Sequence, residues 1–474
     1  MIATLGVAAV AAGMLALPAR AAEDATGPWP QFGGSSSHAG VAPSDGPAPP
    51  LRRVWRFPMP PGEHALSAPV VGDGVAVASG EHLVYGVDSA SGELLWRLHR
   101  DGGSVLATPA IAEAGGTTMV LYTGGSAAKT SYLAAYSISG SSPSLLWKVK
   151  LRDRVIAGVT IDGDLALVAD VSGNVYAVKL DPTPSAEGPE PEWRAEVPGV
   201  VLAPVAAASG RVFAVSRSES SALVQVTALD ESDGGTAWSF QSPSATYGSP
   251  PTVANGQVVV GTYDNRMVAL SAADGSRTWS LRLRSQFFPY SMILFSKGHL
   301  LAMPSRLDES GLYRIDAADG SRSGPWSYGD GLWDFEFGDS SSLASRLVVG
   351  DTVYAGFDGG MIAAVDEATG VEIWTIDTGD APVHGLAPAD GLLIASIATH
   401  SGGLAGYEHA DGPLVHVVSG TKPNWGRMAA NYALAFAIVG AVAALLFLLL
   451  RGRGRKVIPE PAGDLGPIAD EGPA

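Results

Sequence analysis

The chain has 474 residues, 46% of them hydrophobic and 16% charged, so it is too apolar to be disordered as a whole and long enough for several domains or one repeat array. Its formal net charge of −17 argues against a nucleic-acid partner, whose phosphates would repel such a surface. With no cysteine, disulfides, thiolate metal sites, attached c-type haem, a Cys nucleophile and a lipoprotein cysteine are all removed.

Residues Ile2 to Leu17 form an Ala/Val/Leu/Gly run, followed by Pro18 and Ala19-Arg20-Ala21-Ala22. A short apolar stretch ending in small residues predicts a secretory signal over 1–21, although Met1 to Gly6 carry none of the usual Lys or Arg. A lead-in segment covers 22–50.

From 51 to 418 the chain repeats itself. Leu83-Val-Tyr-Gly-Val-Asp88 is followed by Gly92 and Trp96; Met361 to Asp366 by Gly370 and Trp374; Met267 to Ser271 by Gly275 and Trp279. Asp230, Gly234 and Trp238 keep the same spacing, and Asp316 and Gly320 keep it with Trp326 displaced by two residues. Two looser copies end at Trp147 and Trp193, and a last one has Glu408 and Gly412 with His416 in the Trp slot. The residues before Asp88 alternate as a half-buried strand does, the Asp caps a turn, and the Gly closes it at positive φ. One hairpin cannot bury a Trp ring, so each unit must pack on a neighbour.

The Trp residues at 55, 96, 147, 193, 238, 279, 326 and 374 recur every 41 to 51 residues, the length of a four-stranded propeller blade. Their expected role is structural, as rings on outer strands between blades. The predicted fold is all-β: an eight-bladed β-propeller of four-stranded blades, plus a C-terminal transmembrane helix. Trp55, in Leu51-Arg-Arg-Val-Trp-Arg-Phe57, has no other strands of a blade before it and is expected to complete the last blade. The alternative is that Pro413 to Val418 closes that blade and Trp55 lies outside.

A linker spans 419–428. Ala429 to Leu450 follow without a charge, and their 22 residues give about 33 Å of helix, enough for a bilayer core. Arg451, Arg453, Arg455 and Lys456 follow the span and Lys422 and Arg427 precede it, which favours a cytoplasmic tail over 451–474, basic and then disordered. The expected location is the cell membrane, single-pass, with the repeats outside the cytoplasm.

The repeated units resemble the pyrroloquinoline-quinone-like (PQQ-like) β-propeller repeats from about Trp29 to His416. Trp29-Pro-Gln-Phe-Gly-Gly and His38-Ala-Gly also look like the start of such proteins. The resemblance implies either of two activities. Quinoprotein dehydrogenases bind the quinone and calcium on the propeller axis, whereas non-catalytic members act as scaffolds; fold does not choose between them. No adjacent-cysteine pair, haem-attachment motif or compact metal cluster is present, and Asp162-Gly-Asp164 and Asp264-Asn265 complete no calcium loop. PQQ and calcium therefore lack a supporting motif, and no cofactor, metal or catalytic residue is assigned. The scaffold reading is preferred, with a protein or cell-envelope partner. A divergent membrane-bound quinoprotein alcohol or sugar dehydrogenase is the alternative, and a sensing ectodomain the third reading.

Two stretches exceed the repeat. One contains Phe287, Phe288 and Tyr290, the other Trp333, Phe335 and Phe337 among acids. Connections on a rigid scaffold carry binding, and exposed aromatics suit protein interfaces, so these six are the candidate partner surface.

Overall fold

The computed structural model describes residues 29–42, 46–58, 62–63, 66–102, 107–125, 131–139, 142–218, 223–242, 248–283, 292–302, 312–322, 346–357, 360–379, 382–398 and 403–410. Contacts divide the chain into 1–418 and 419–474, and every described residue belongs to the first part. The signal expected over 1–21 and the helix expected over 429–450 lie outside the described residues, among which no helix is long and apolar enough to cross a membrane.

The described strands form eight antiparallel sheets, the blades of a propeller. Blade 1 runs in order through Val70–Gly72, Val75–Ser79, Leu83–Asp88 and Leu94–His99. The innermost strands of blades 2 to 8 are Ala110–Ala114, Thr160–Asp162, Ala206–Ala208, Thr252–Ala254, Leu294–Ser296, Arg346–Val349 and Val383–Ala389. Each touches the next, and Val383–Ala389 touches Val70–Gly72, so the ring is closed. Blade 6 shows three described strands, and Trp326 lies outside the described residues. Of the two possible closures, the ring uses the first: Leu51–Pro58 is the outer strand of blade 8, running antiparallel to Gly403–His409 from Leu51 opposite His409 to Pro58 opposite Gly403.

The expected alternation before Asp88 is not what the ring contains. Val84, Tyr85, Gly86 and Val87 are all buried, because the third strand of a blade is covered on both faces by neighbouring blades. Alternation survives in the outer strand, where Trp96 and Leu98 are buried between exposed Leu95, Arg97 and His99. The hydrophobic clusters accordingly lie between blades rather than at one centre. One joins blades 2 and 3 through Trp147, Leu133 and Tyr176, another blades 4 and 5 through Phe213, Trp238 and Val258.

Candidate functional site

Seven of the eight predicted Trp residues are described, and all seven sit on outer strands with the ring buried. Opposite each on the third strand stands a residue too small to obstruct the ring. It is Gly86 for Trp96, Ala135 for Trp147, Ala177 for Trp193, Ala228 for Trp238, Ala269 for Trp279, Ala364 for Trp374 and Gly406 for Trp55. The ring then reaches the next blade. Trp193, Trp238 and Trp279 lie against the turn glycines Gly234, Gly275 and Gly320, and Trp55 of blade 8 lies against Gly92 of blade 1. The indole N–H of Trp193 donates to the Glu231 carbonyl at 2.6 Å, and that of Trp238 to Ala272 at 3.0 Å. The Asp of the repeat fixes this turn. Asp88 Oδ1 accepts from the Ser91 N–H and hydroxyl, both at 2.8 Å, and these bonds hold its carboxyl below the usual carboxylate range. The Asp-Gly-Trp repeat is thus a docking device between blades.

The lead-in segment occupies the ring axis. In order round the ring, the N–H groups of Val71, Ile111, Ala207, Val253, Phe295 and Val348 donate to the carbonyls of Trp29, Pro30, Ser36, Ser37, Ala39 and Gly40, at 2.7 to 2.9 Å. Blade 3 uses a side chain instead. The Ile161 N–H donates to Gln31 Oε1 at 2.7 Å, and Gln31 Nε2 donates back to the Ile161 carbonyl at 3.0 Å. Seven inner edges are covered in this way. The matching position of blade 8 is Pro388, one residue before the hairpin pair Ala389 and Leu392, and proline has no N–H to give.

The segment packs as tightly as it bonds. Gln31 and His38 are fully buried, and a Cβ on Gly40 would stand 2.2 Å from Leu294 Cδ2. The His38 ring meets Phe32 edge-on with centroids 5.0 Å apart, and its Nδ1 lies 3.0 Å from the Pro251 carbonyl. Burial without a charged partner pushes His38 down to about 4, so the imidazole is neutral, with its proton on Nδ1 facing that carbonyl.

Trp29 to Gly40 bond to the inner strands of seven blades around the axis, and among the described residues no three His, Cys, Asp or Glu groups are placed to hold a metal. Phe287, Phe288, Tyr290, Trp333, Phe335 and Phe337 lie outside the described residues. The described ends that bracket them are Leu283 and Met292, between blades 5 and 6, and Arg322 and Arg346, between blades 6 and 7. In sequence, the first stretch lies between the outer strand of blade 5 and the inner strand of blade 6, and the second between Arg322 and the inner strand of blade 7. The axial segment was missed as a functional element by reading the repeat alone, because its bonds are mostly backbone bonds that any side chain permits.

An eight-bladed ring whose Asp-Gly-Trp turns dock successive blades defines a propeller of PQQ-like repeats. The family model described as outer membrane protein assembly factor BamB matches residues 52–131, 129–249, 193–303 and 224–387. Together these cover 52–387, well over half of the chain, and the chain belongs to that family. The outer membrane protein assembly factor BamB of Nitrosomonas eutropha (strain DSM 101675 / C91 / Nm57) is 34% identical over 137 residues, which are 28% of this chain and 30% of that relative. This chain is thus aligned with under a third of that relative's length. The crystal structure of BamB from Moraxella catarrhalis is similar in fold, with TM-score 0.53 and 14% identity over 77% of this chain and 99% of that one. So is the quinohemoprotein alcohol dehydrogenase of Comamonas testosteroni, with TM-score 0.60 and 13% identity over 82% of each chain. At these identities both likenesses speak to fold alone.

Proposed function

We propose that the protein is a membrane-anchored, extracytoplasmic binding scaffold. A secretory signal over 1–21 exports the ring, the apolar run Ala429 to Leu450 crosses the cell membrane once, and the basic tail stays in the cytoplasm. The connections containing Phe287, Phe288, Tyr290, Trp333, Phe335 and Phe337 take a protein or envelope partner. The observation that supports a scaffold over a dehydrogenase is the axial side of the inner strands, where seven blades bond to the chain's own Trp29 to Gly40. The family match to an assembly factor points the same way.

The dehydrogenase fold neighbour supplies the competing reading. Titrating the purified full chain in detergent with quinone and calcium, with dye-linked alcohol and sugar oxidation on the same sample, separates the two. The scaffold reading expects neither saturable quinone binding nor dye reduction. Stoichiometric binding with turnover would reverse it.

A further inference from the structure

The outer strands of blades 8 and 1 carry a pattern that neither the core nor the repeat requires. Leu51–Pro58 exposes Arg52, Arg53, Val54 and Arg56, and Leu94–His99 exposes Leu94, Leu95, Arg97 and His99. Neither strand contains an acid, in a chain with 47 acids and 30 Lys and Arg. Val54, Leu94 and Leu95 are 40%, 43% and 46% exposed, three of the five large hydrophobic residues most open to solvent among the described residues. Acids beside the two strands include Glu408, 2.6 Å from Arg52, exposed Glu93, and Asp101, 2.9 Å from His99. The outer strand of blade 2, next to blade 1, is also acid-free, with Lys148, Lys150 and exposed Leu145 on Ser144–Lys150, and the acid-free outer strand Arg277–Arg282 of blade 5 exposes two arginines but no aliphatic residue. Blade 4 has the uncharged outer strand Thr236–Gln241, and blade 7 has Glu372–Asp377 with an acid at each end. Protecting an open strand edge needs charge of either sign, but it does not need three exposed aliphatic residues beside the arginines.

We propose that this rim, centred on blades 8 and 1, rests on an anionic phospholipid surface, so that the disc stands edge-on to the membrane. Guanidinium groups bind phosphate oxygens in pairs, and Val54, Leu94 and Leu95 enter the headgroup boundary. The inference rests on the reading of 429–450 as a membrane span. The last described residues lie at this same rim: His409 pairs with Leu51, and the Ala410 N–H donates to the Pro50 carbonyl at 2.8 Å.

Because the chain has no cysteine, single labels can be placed cleanly. Leu95→Cys marks the proposed contact, and Ser239→Cys marks the exposed outer strand of blade 4, across the ring. The full-length protein is reconstituted in phosphatidylcholine alone and in phosphatidylcholine mixed with phosphatidylglycerol, and quenching of each fluorescent label by headgroup-quencher lipid is measured. Quenching is expected at 95 and not at 239. It is expected in the anionic bilayer only, to be relieved by salt, and to be lost when Arg52, Arg53 and Arg56 are changed together to Gln. At about fivefold per arginine, the occupancy constant of the docked state should fall roughly a hundredfold. Equal signals at 95 and 239, or quenching at 95 that ignores lipid charge, would overturn the docking. Alkaline extraction of the same membranes reports on the span separately. Release of the protein would overturn the span on which the inference rests, whereas retention with an unquenched label at 95 would overturn the docking alone.

Discussion

Single residues show how closely the repeat is determined. Gly256 and Gly275 of blade 5 have nearly the same backbone, φ 71° and 73°, but different surroundings. A Cβ on Gly256 meets nothing within 4 Å, while one on Gly275 would stand 2.5 Å from the Trp238 ring. Gly256→Ala is expected to cost about 1 kcal/mol from the left-handed backbone alone. Gly275→Ala should cost about 1–3 kcal/mol more, because the ring of the preceding blade must move. Denaturant unfolding of the two variants checks the difference, and equal losses would mean that the Trp does not dock there. His38 gives a pH signature. Its folded value of about 4 lies below the free imidazole value, so the unfolded chain binds more protons between those limits. Its contribution is full above about pH 6.5 and is lost as pH falls toward 4, by about 3 kcal/mol. Glu231 acts with opposite sign, since burial and the neighbouring Asp162 raise its carboxyl. The comparison that isolates His38 is therefore wild type against His38→Asn at each pH, and the gap between their stabilities should narrow as pH falls.

At the scale of elements, most of the ring can be read from the sequence and one part cannot. The Asp-x-x-x-Gly-x-x-x-Trp spacing locates the turn and the outer strand, because each of its residues has a steric task that few others can perform. The small residues opposite each Trp belong to the same code and were equally visible, as Gly86 and Gly406 show. The strand alternation was misread because both faces of an inner blade strand are covered, which turns a period of two into a continuous apolar run. The lead-in segment was the part least legible. Only Gln31 betrays it, with a side-chain amide that matches one peptide unit of Ile161. Gln31→Leu leaves that buried N–H and carbonyl without their partner, and is expected to cost about 2–5 kcal/mol, read as a fall in the unfolding midpoint at unchanged slope. A near-neutral effect would mean that the segment does not seal blade 3.

For the whole molecule, the described part is a closed ring whose inner strands carry the chain's own lead-in segment. Function was less legible than fold for a physical reason. The repeat is specified by packing, which recurs eight times, whereas a partner surface occurs once and has no period. The aromatic stretches at 287–290 and 333–337 stood out only as departures from that period. Their role as a protein-binding surface is the central claim, and site-specific photo-crosslinking in native membranes tests it most directly. A photoreactive residue is placed at Phe287 or Phe335, and for comparison at exposed Ser239 on blade 4. The account predicts the same discrete protein adduct from 287 and 335, and none from 239. Adducts of equal yield at all three positions, or none at 287 and 335, would contradict it.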